Sequence, residues 1–200
     1  MDQETHFLEN SYQNSNWQTN TVTLTGKILF DPEDKTNKHA NQSSWKKVAM
    51  VLISGDVCEY YSWFLKKRFN LKLHKPLRGA HVTFINDRAS DMNGKWEEIK
   101  AKWNGKKIEV VIDLTPKTDS SEPKSDYHWW FNIPHEDREE LQIIRSELGL
   151  GKPFFGLHMT IGRAVDHTTD DFEIGVMKAK EMCVEHSIYL HKLYKGGFIK

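Results

Sequence analysis

Two short segments carry the groups best suited to acid–base chemistry. They are Gly79-Ala80-His81-Val82-Thr83-Phe84 and Gly156-Leu157-His158-Met159-Thr160-Ile161, both of the form Gly-x-His-x-Thr-x with apolar x. Side chains alternate along a strand, so His81 and Thr83 share one face while Val82 and Phe84 take the other, and His158 and Thr160 likewise oppose Met159 and Ile161. Each strand then offers an imidazole beside a hydroxyl. Breaking a phosphodiester in line needs a base for the attacking hydroxyl and an acid for the leaving oxygen, on opposite sides of phosphorus. Imidazoles suit both roles, because a reference pKa of about 6.5 lets one ring be neutral and the other protonated near neutral pH. Threonine hydroxyls can donate to the non-bridging oxygens, where charge builds in the transition state. Such a scheme needs no metal and no cofactor.

The triplet alone is weak. With ten histidines in 200 residues, about 0.6 His-x-Thr triplets are expected by chance, the false-positive risk of any short motif. A third copy, His167-Thr168-Thr169, sits among Asp166, Asp170 and Asp171 with no apolar frame and reads as loop. The apolar frame, the preceding glycine and a helix-then-strand order after each copy single out the other two. The plainer alternative is a pair of core histidines, each bonded to a neighbouring threonine. Metal-binding spacings are missing: there is no His-x-x-x-His, no Cys-x-x-Cys and no calcium loop, and His186 and His191 are five apart. Gly-rich phosphate loops are also missing, which argues against nucleoside triphosphates as substrates.

The elements around the motifs follow from periodicity. Alternation over Thr21 to Phe30 predicts a half-buried strand, and the apolar run Val48 to Ile53 predicts a central one. Asp56 and Glu59 form a capping-box pattern ahead of a helix through Val57, Tyr60, Phe64 and Arg68. His81 to Ile85 reads as strand. A helix with Ser90 or Asp91 as cap follows, carrying Trp96, Ile99 and Trp103 and ending before Gly105. Ile108 to Leu114 alternates as a strand closed by Pro116, and a polar loop runs on through Ser125. Tyr127 to Ile133 is strand-like, a helix after Pro134 carries Leu141, Ile144 and Leu148, and Phe154 to Ile161 forms another strand. The last forty residues look more helical than extended. Strands alternating with helices indicate an α/β or α+β sheet protein.

Composition sets the outer bounds. Twenty-eight basic against 28 acidic residues give zero net charge, so bulk electrostatic coating of a large nucleic acid is not expected, and any nucleic-acid partner should be small. No apolar run approaches a membrane span, and Met1-Asp2-Gln3-Glu4 is not a signal-peptide start. Cys58 and Cys183 are too few for a disulfide framework. The expectation is a cytoplasmic protein with no membrane partner: a mobile arm over residues 1–20, rich in Asn, Gln, Ser and Thr, then one domain over 21–200.

On these residues the chain resembles the two-histidine (2H) phosphoesterases, a superfamily that includes RNA ligase-like cyclic phosphodiesterases and a phage anti-CBASS nuclease. The resemblance covers roughly Trp45 to Arg163. It implies an α+β fold: a bilobal sheet with pseudo-two-fold symmetry, helices on the outer faces and the two His-x-Thr strands in a central cleft. It places the catalytic groups on His81, Thr83, His158 and Thr160, and a basic residue after the second motif on Arg163. The implied activity is a metal-independent phosphodiesterase acting on a small nucleotide or RNA end, either a 2′,3′-cyclic phosphate or a cyclic oligonucleotide signal. The alternative is a nucleotide-binding sensor or sponge on the same fold. Arg78 and Arg163 flank the motifs as phosphate ligands. Trp129 and Trp130 are candidates for base stacking, with packing of both sheet faces as the rival reading. Tyr12 on the arm is a candidate for a lid.

Overall fold

The computed structural model describes residues 21–32, 45–54, 57–76, 78–87, 90–119, 127–134, 139–153 and 156–164. The expected arm with Tyr12, the loop over 33–44, Asp56 of the capping box, the His167 triplet and the C-terminal segment lie outside them.

Eight strands form one antiparallel sheet: β1 (Thr21–Phe30), β2 (Ala49–Ile53), β3 (Leu73–His74), β4 (His81–Ile85), β5 (Lys107–Asp113), β6 (Lys117–Asp119), β7 (Tyr127–Asn132) and β8 (His158–Ala164). Their order is β5-β1-β2-β4-β8-β7-β6, with β3 paired to β8 beyond the reach of β4. Three helices complete the described fold: α1 (Val57–Phe69), α2 (Trp96–Trp103) and α3 (Glu139–Glu147). Antiparallel pairing throughout decides between the two classes left open by sequence, and the fold is α+β. None of the helices is long and apolar enough to cross a membrane.

The alternating residues of β1 and β5 behave as expected: Val22, Leu24, Ile28 and Phe30 are buried, and so are Ile108, Val110 and Ile112. Strand β2 lies between β1 and β4, and four of its five residues are buried, as its continuous apolar run requires. Helix α1 buries Val57, Cys58, Tyr61 and Leu65 against β8 and β3. The Tyr61 ring meets Phe131 of β7 edge-on at 5.3 Å, and its hydroxyl donates to the Leu114 carbonyl just past β5 at 3.1 Å. One tyrosine thus ties together strands from opposite ends of a curled sheet, and β5 approaches β7.

Three expectations need correction. Neither Ser90 nor Asp91 caps α2: Ser90 Oγ accepts from the Met92 N–H at 3.1 Å in a short 3₁₀ turn, and Lys95 occupies the N-cap without a side-chain bond. The polar loop after Pro116 contains the edge strand β6, and β3 was not expected, because strands of two or three residues are too short to show a period. Strand β8 begins at His158 and runs on to Ala164.

Two polar clusters hold the helices in place. Asp31, in the left-handed region at φ 47°, accepts from the Lys47 N–H (2.7 Å), Trp96 Nε1 (3.0 Å) and Lys100 Nζ (2.7 Å), linking the end of β1 to α2. Burial alone would raise its pKa, but these three donors outweigh it and hold the carboxyl below its ordinary value. Arg145 of α3 is 1% exposed and donates to the Phe84 carbonyl (2.7 Å), the Gly151 carbonyl (2.7 Å) and Asp87 (2.8 Å). It anchors α3 to the end of β4, one residue past Thr83.

Candidate active site

Strands β4 and β8 meet at one Cα pairing, Val82 with Met159. In an antiparallel pair, one step to either side carries His81 toward Thr160 and Thr83 toward His158. The burial pattern agrees: the two histidines and two threonines are half-buried, while Val82, Phe84, Leu157 and Met159 are buried. Helix α1 covers the opposite face, since Phe131, which Tyr61 touches, pairs with Met159. The fold therefore brings the four motif residues onto one uncovered patch at the middle of the sheet.

Both rings are held in the same way. His81 Nδ1 lies 2.8 Å from the Gly79 carbonyl oxygen, and His158 Nδ1 lies 2.8 Å from the Gly156 carbonyl oxygen. A carbonyl only accepts, so each Nδ1 carries the proton and each neutral ring leaves its Nε2 lone pair free for proton transfer. Burial pushes the His81 pKa below its ordinary value; the Gly79 carbonyl opposes this, while the charges of Arg78 and His158 push it down further. Neutral imidazole is the favoured form at His81.

A pocket of about 510 Å³ opens on the His81 and Thr160 side of this patch, and His158 and Thr83 are not part of its lining. Arg78 and Arg163, the two expected phosphate ligands, both line it. Arg78 packs its guanidinium over the Trp45 ring at 4.6 Å. Arg163 reaches the pocket because of a register shift in the β7–β8 pairing. Trp130 pairs with Thr160 but Trp129 pairs with Gly162, so β8 carries one extra residue there. Simple alternation from Thr160 would have turned Arg163 into the core; the bulge turns it outward instead, opposite His128 on one side and His74 on the other.

The two tryptophans separate. Trp129 is fully buried, so the expectation that it stacks on a base is corrected: it is a core residue. Trp130 is half-buried beside the motif residues, donates from Nε1 to Asn132 Oδ1 at 3.0 Å, and stands edge-on to His158 with ring centres 6.5 Å apart.

No protein-family model and no curated protein matches the chain. Among solved structures it is similar to that of Kluyveromyces marxianus Usb1, over 84% of this chain and 81% of that one, at 12% identity and a TM-score of 0.39. The likeness is loose.

Sequence reasoning did not single out Trp45, which lines the pocket under Arg78, or His128, which is exposed at the pocket edge. His128 was within reach: once Trp129 is turned inward, alternation puts His128 and Trp130 outward together. Trp45 carried no such signal, because it belongs to no periodic element.

Proposed function

We propose that this protein is a phosphodiesterase of the two-histidine type, acting on a small nucleotide or RNA-type phosphodiester, with the two motif strands at the floor of a cleft between the two halves of the sheet. The observation that carries the reading is the matched pair of rings, each with Nδ1–H held by a glycine carbonyl and Nε2 left for chemistry, on adjacent strands beside two threonine hydroxyls. A purely structural histidine pair gains nothing from leaving both Nε2 atoms uncovered.

The role of each group follows from its surroundings. His81, kept neutral by burial and by Arg78, is the base, and His158 is left as the acid. Nε2 of His81 takes the proton from a ribose 2′-hydroxyl or a water, whose oxygen attacks phosphorus. Nε2 of protonated His158 gives its proton to the departing oxygen. Attack by the 2′-hydroxyl releases a 5′-hydroxyl and leaves a 2′,3′-cyclic phosphate; attack by water on a cyclic phosphate opens it to a monoester. Thr83 and Thr160 donate to the non-bridging oxygens, and Arg78 and Arg163 hold the substrate anion.

Two substrate classes suit this chemistry, RNA-type ends with 2′,3′-cyclic phosphates and cyclic oligonucleotide signals. Product analysis by chromatography with EDTA present, against 2′,3′-cyclic mononucleotides and cyclic di- and trinucleotides, tests the proposal. Cleavage of either class is expected from the wild type, with a loss of about 10²- to 10⁴-fold in each of His81→Ala and His158→Ala. Tight binding without turnover would replace the enzyme by a sensor or sponge. Substantial activity in either histidine variant would sink the mechanism.

A further inference from the structure

The motif residues are arranged evenly about the Val82–Met159 pairing, but the pocket is not. It extends only from the His81 and Thr160 side, and apart from the motif its ionisable lining is basic: Arg78, Arg163, His74, His128 and Lys75, with no carboxylate among the lining residues. Lys75 is already engaged by Glu59. The register sets the other groups in a row across three strands, His128 of β7, Arg163 of β8 and His74 of β3. Arg163 lies three residues beyond Thr160, about 10 Å along the strand at a rise near 3.3 Å per residue. That is too far for the row to serve mainly the phosphorus between the two histidines. The pocket volume, about 510 Å³, falls in the range of whole-ligand sites of about 300–1,000 Å³ and exceeds what one phosphate occupies.

We infer that this pocket is a subsite for a second phosphate, with its sugar and base, on the His81 side of the scissile bond, so that the substrate is an oligonucleotide and not a cyclic mononucleotide. The inference rests on the proposed function for the position of the scissile phosphate, but the subsite itself can be seen in binding alone. Arg163 and His128, both exposed, supply the charge and hydrogen bonds to the second phosphate. The guanidinium of Arg78, stacked on Trp45, offers a planar cationic surface for the base.

Calorimetric binding of adenosine 3′-monophosphate and of the dinucleotide ApAp, at two salt concentrations, tests this without turnover. ApAp is expected to bind at least tenfold more tightly, with a steeper salt dependence by one further phosphate contact. In Arg163→Gln and in His128→Ala that advantage is expected to shrink severalfold. Both side chains are exposed, so folding should survive. Equal affinity for the two ligands, or an advantage untouched by either variant, overturns the subsite. An ApAp advantage in a protein that cleaves no phosphodiester keeps the subsite and sinks the catalytic reading.

Discussion

Gly162 lies so close to β3 that a Cβ on it would stand 2.9 Å from the His74 carbonyl oxygen and 2.9 Å from Leu73 Cβ. This close approach lets β3 pair with the bulged end of β8, and it places Arg163 and His74 side by side at the pocket. Gly162→Ala should therefore push β3 off β8. A loss of about 1–3 kcal/mol in denaturant unfolding is expected, the cost of overpacking against backbone. Gly151→Ala is the control, because a Cβ there meets nothing within 4 Å. Equal stability of the two variants would show that β3 is not held by this contact.

Thr83 and Thr160 differ from valine mainly in the hydroxyl, so Thr83→Val and Thr160→Val test the proposed charge stabilisation with little change of shape. Each should lower kcat by about 10²-fold while KM moves much less, the pattern of a donor needed chiefly in the transition state. A rise in KM at constant kcat would assign the hydroxyls to ground-state binding.

Much of this arrangement was legible in the chain, for a physical reason. The strands that carry the motifs are buried on one face only, so the period of two that selects apolar residues at Val82, Phe84, Met159 and Ile161 also fixes where the histidines and threonines point. What alternation cannot show is a break in itself. The bulge that turns Arg163 outward leaves no trace except Gly162, and the two-residue strand β3 has no period at all. The fate of Trp129 and Trp130 was likewise open, since adjacent tryptophans look alike until the register says which one faces the core.

Arg145 is a larger structural commitment than its place on a surface-type helix suggests. Its guanidinium satisfies two backbone carbonyls and Asp87 at once, in a buried position. Arg145→Met should cost about 3 kcal/mol in unfolding free energy, at the low end for breaking a buried pair because Asp87 keeps some access to water. Asp87→Asn, which leaves the carbonyl bonds in place, should cost less. The reverse ranking would assign the anchoring to the ion pair instead.

Cys58 is buried in α1, with its thiol 3.7 Å from the Thr160 carbonyl oxygen. Burial, helped by the neighbouring charge of Glu59, pushes its pKa up to about 12, so almost no thiolate exists near neutral pH. Peptide mapping after iodoacetamide treatment of the native protein should find Cys58 unmodified, and labelled fully only after denaturation. Rapid native labelling of Cys58 would mean that α1 opens readily away from β8.

His81 gives the most direct pH test, and the sign is fixed by its environment. Burial first, then the charges of Arg78 and His158, depress its pKa, so the unfolded chain takes up a proton near pH 6.5 while the folded chain does so only at lower pH. Between those values the unfolded state holds more protons. The contribution of His81 to stability is therefore fully present above about pH 6.5 and is lost as pH falls toward the folded value. As the base, His81 must be neutral to act, which sets the acid limb of kcat/KM below pH 6.5 as well. Histidine-selective NMR titration should give the same midpoint for the ring. Arg78→Gln removes one of the depressing charges, so the midpoint and the acid limb should rise together. A ring that titrates upward in Arg78→Gln while the acid limb stays fixed would take the base role away from His81.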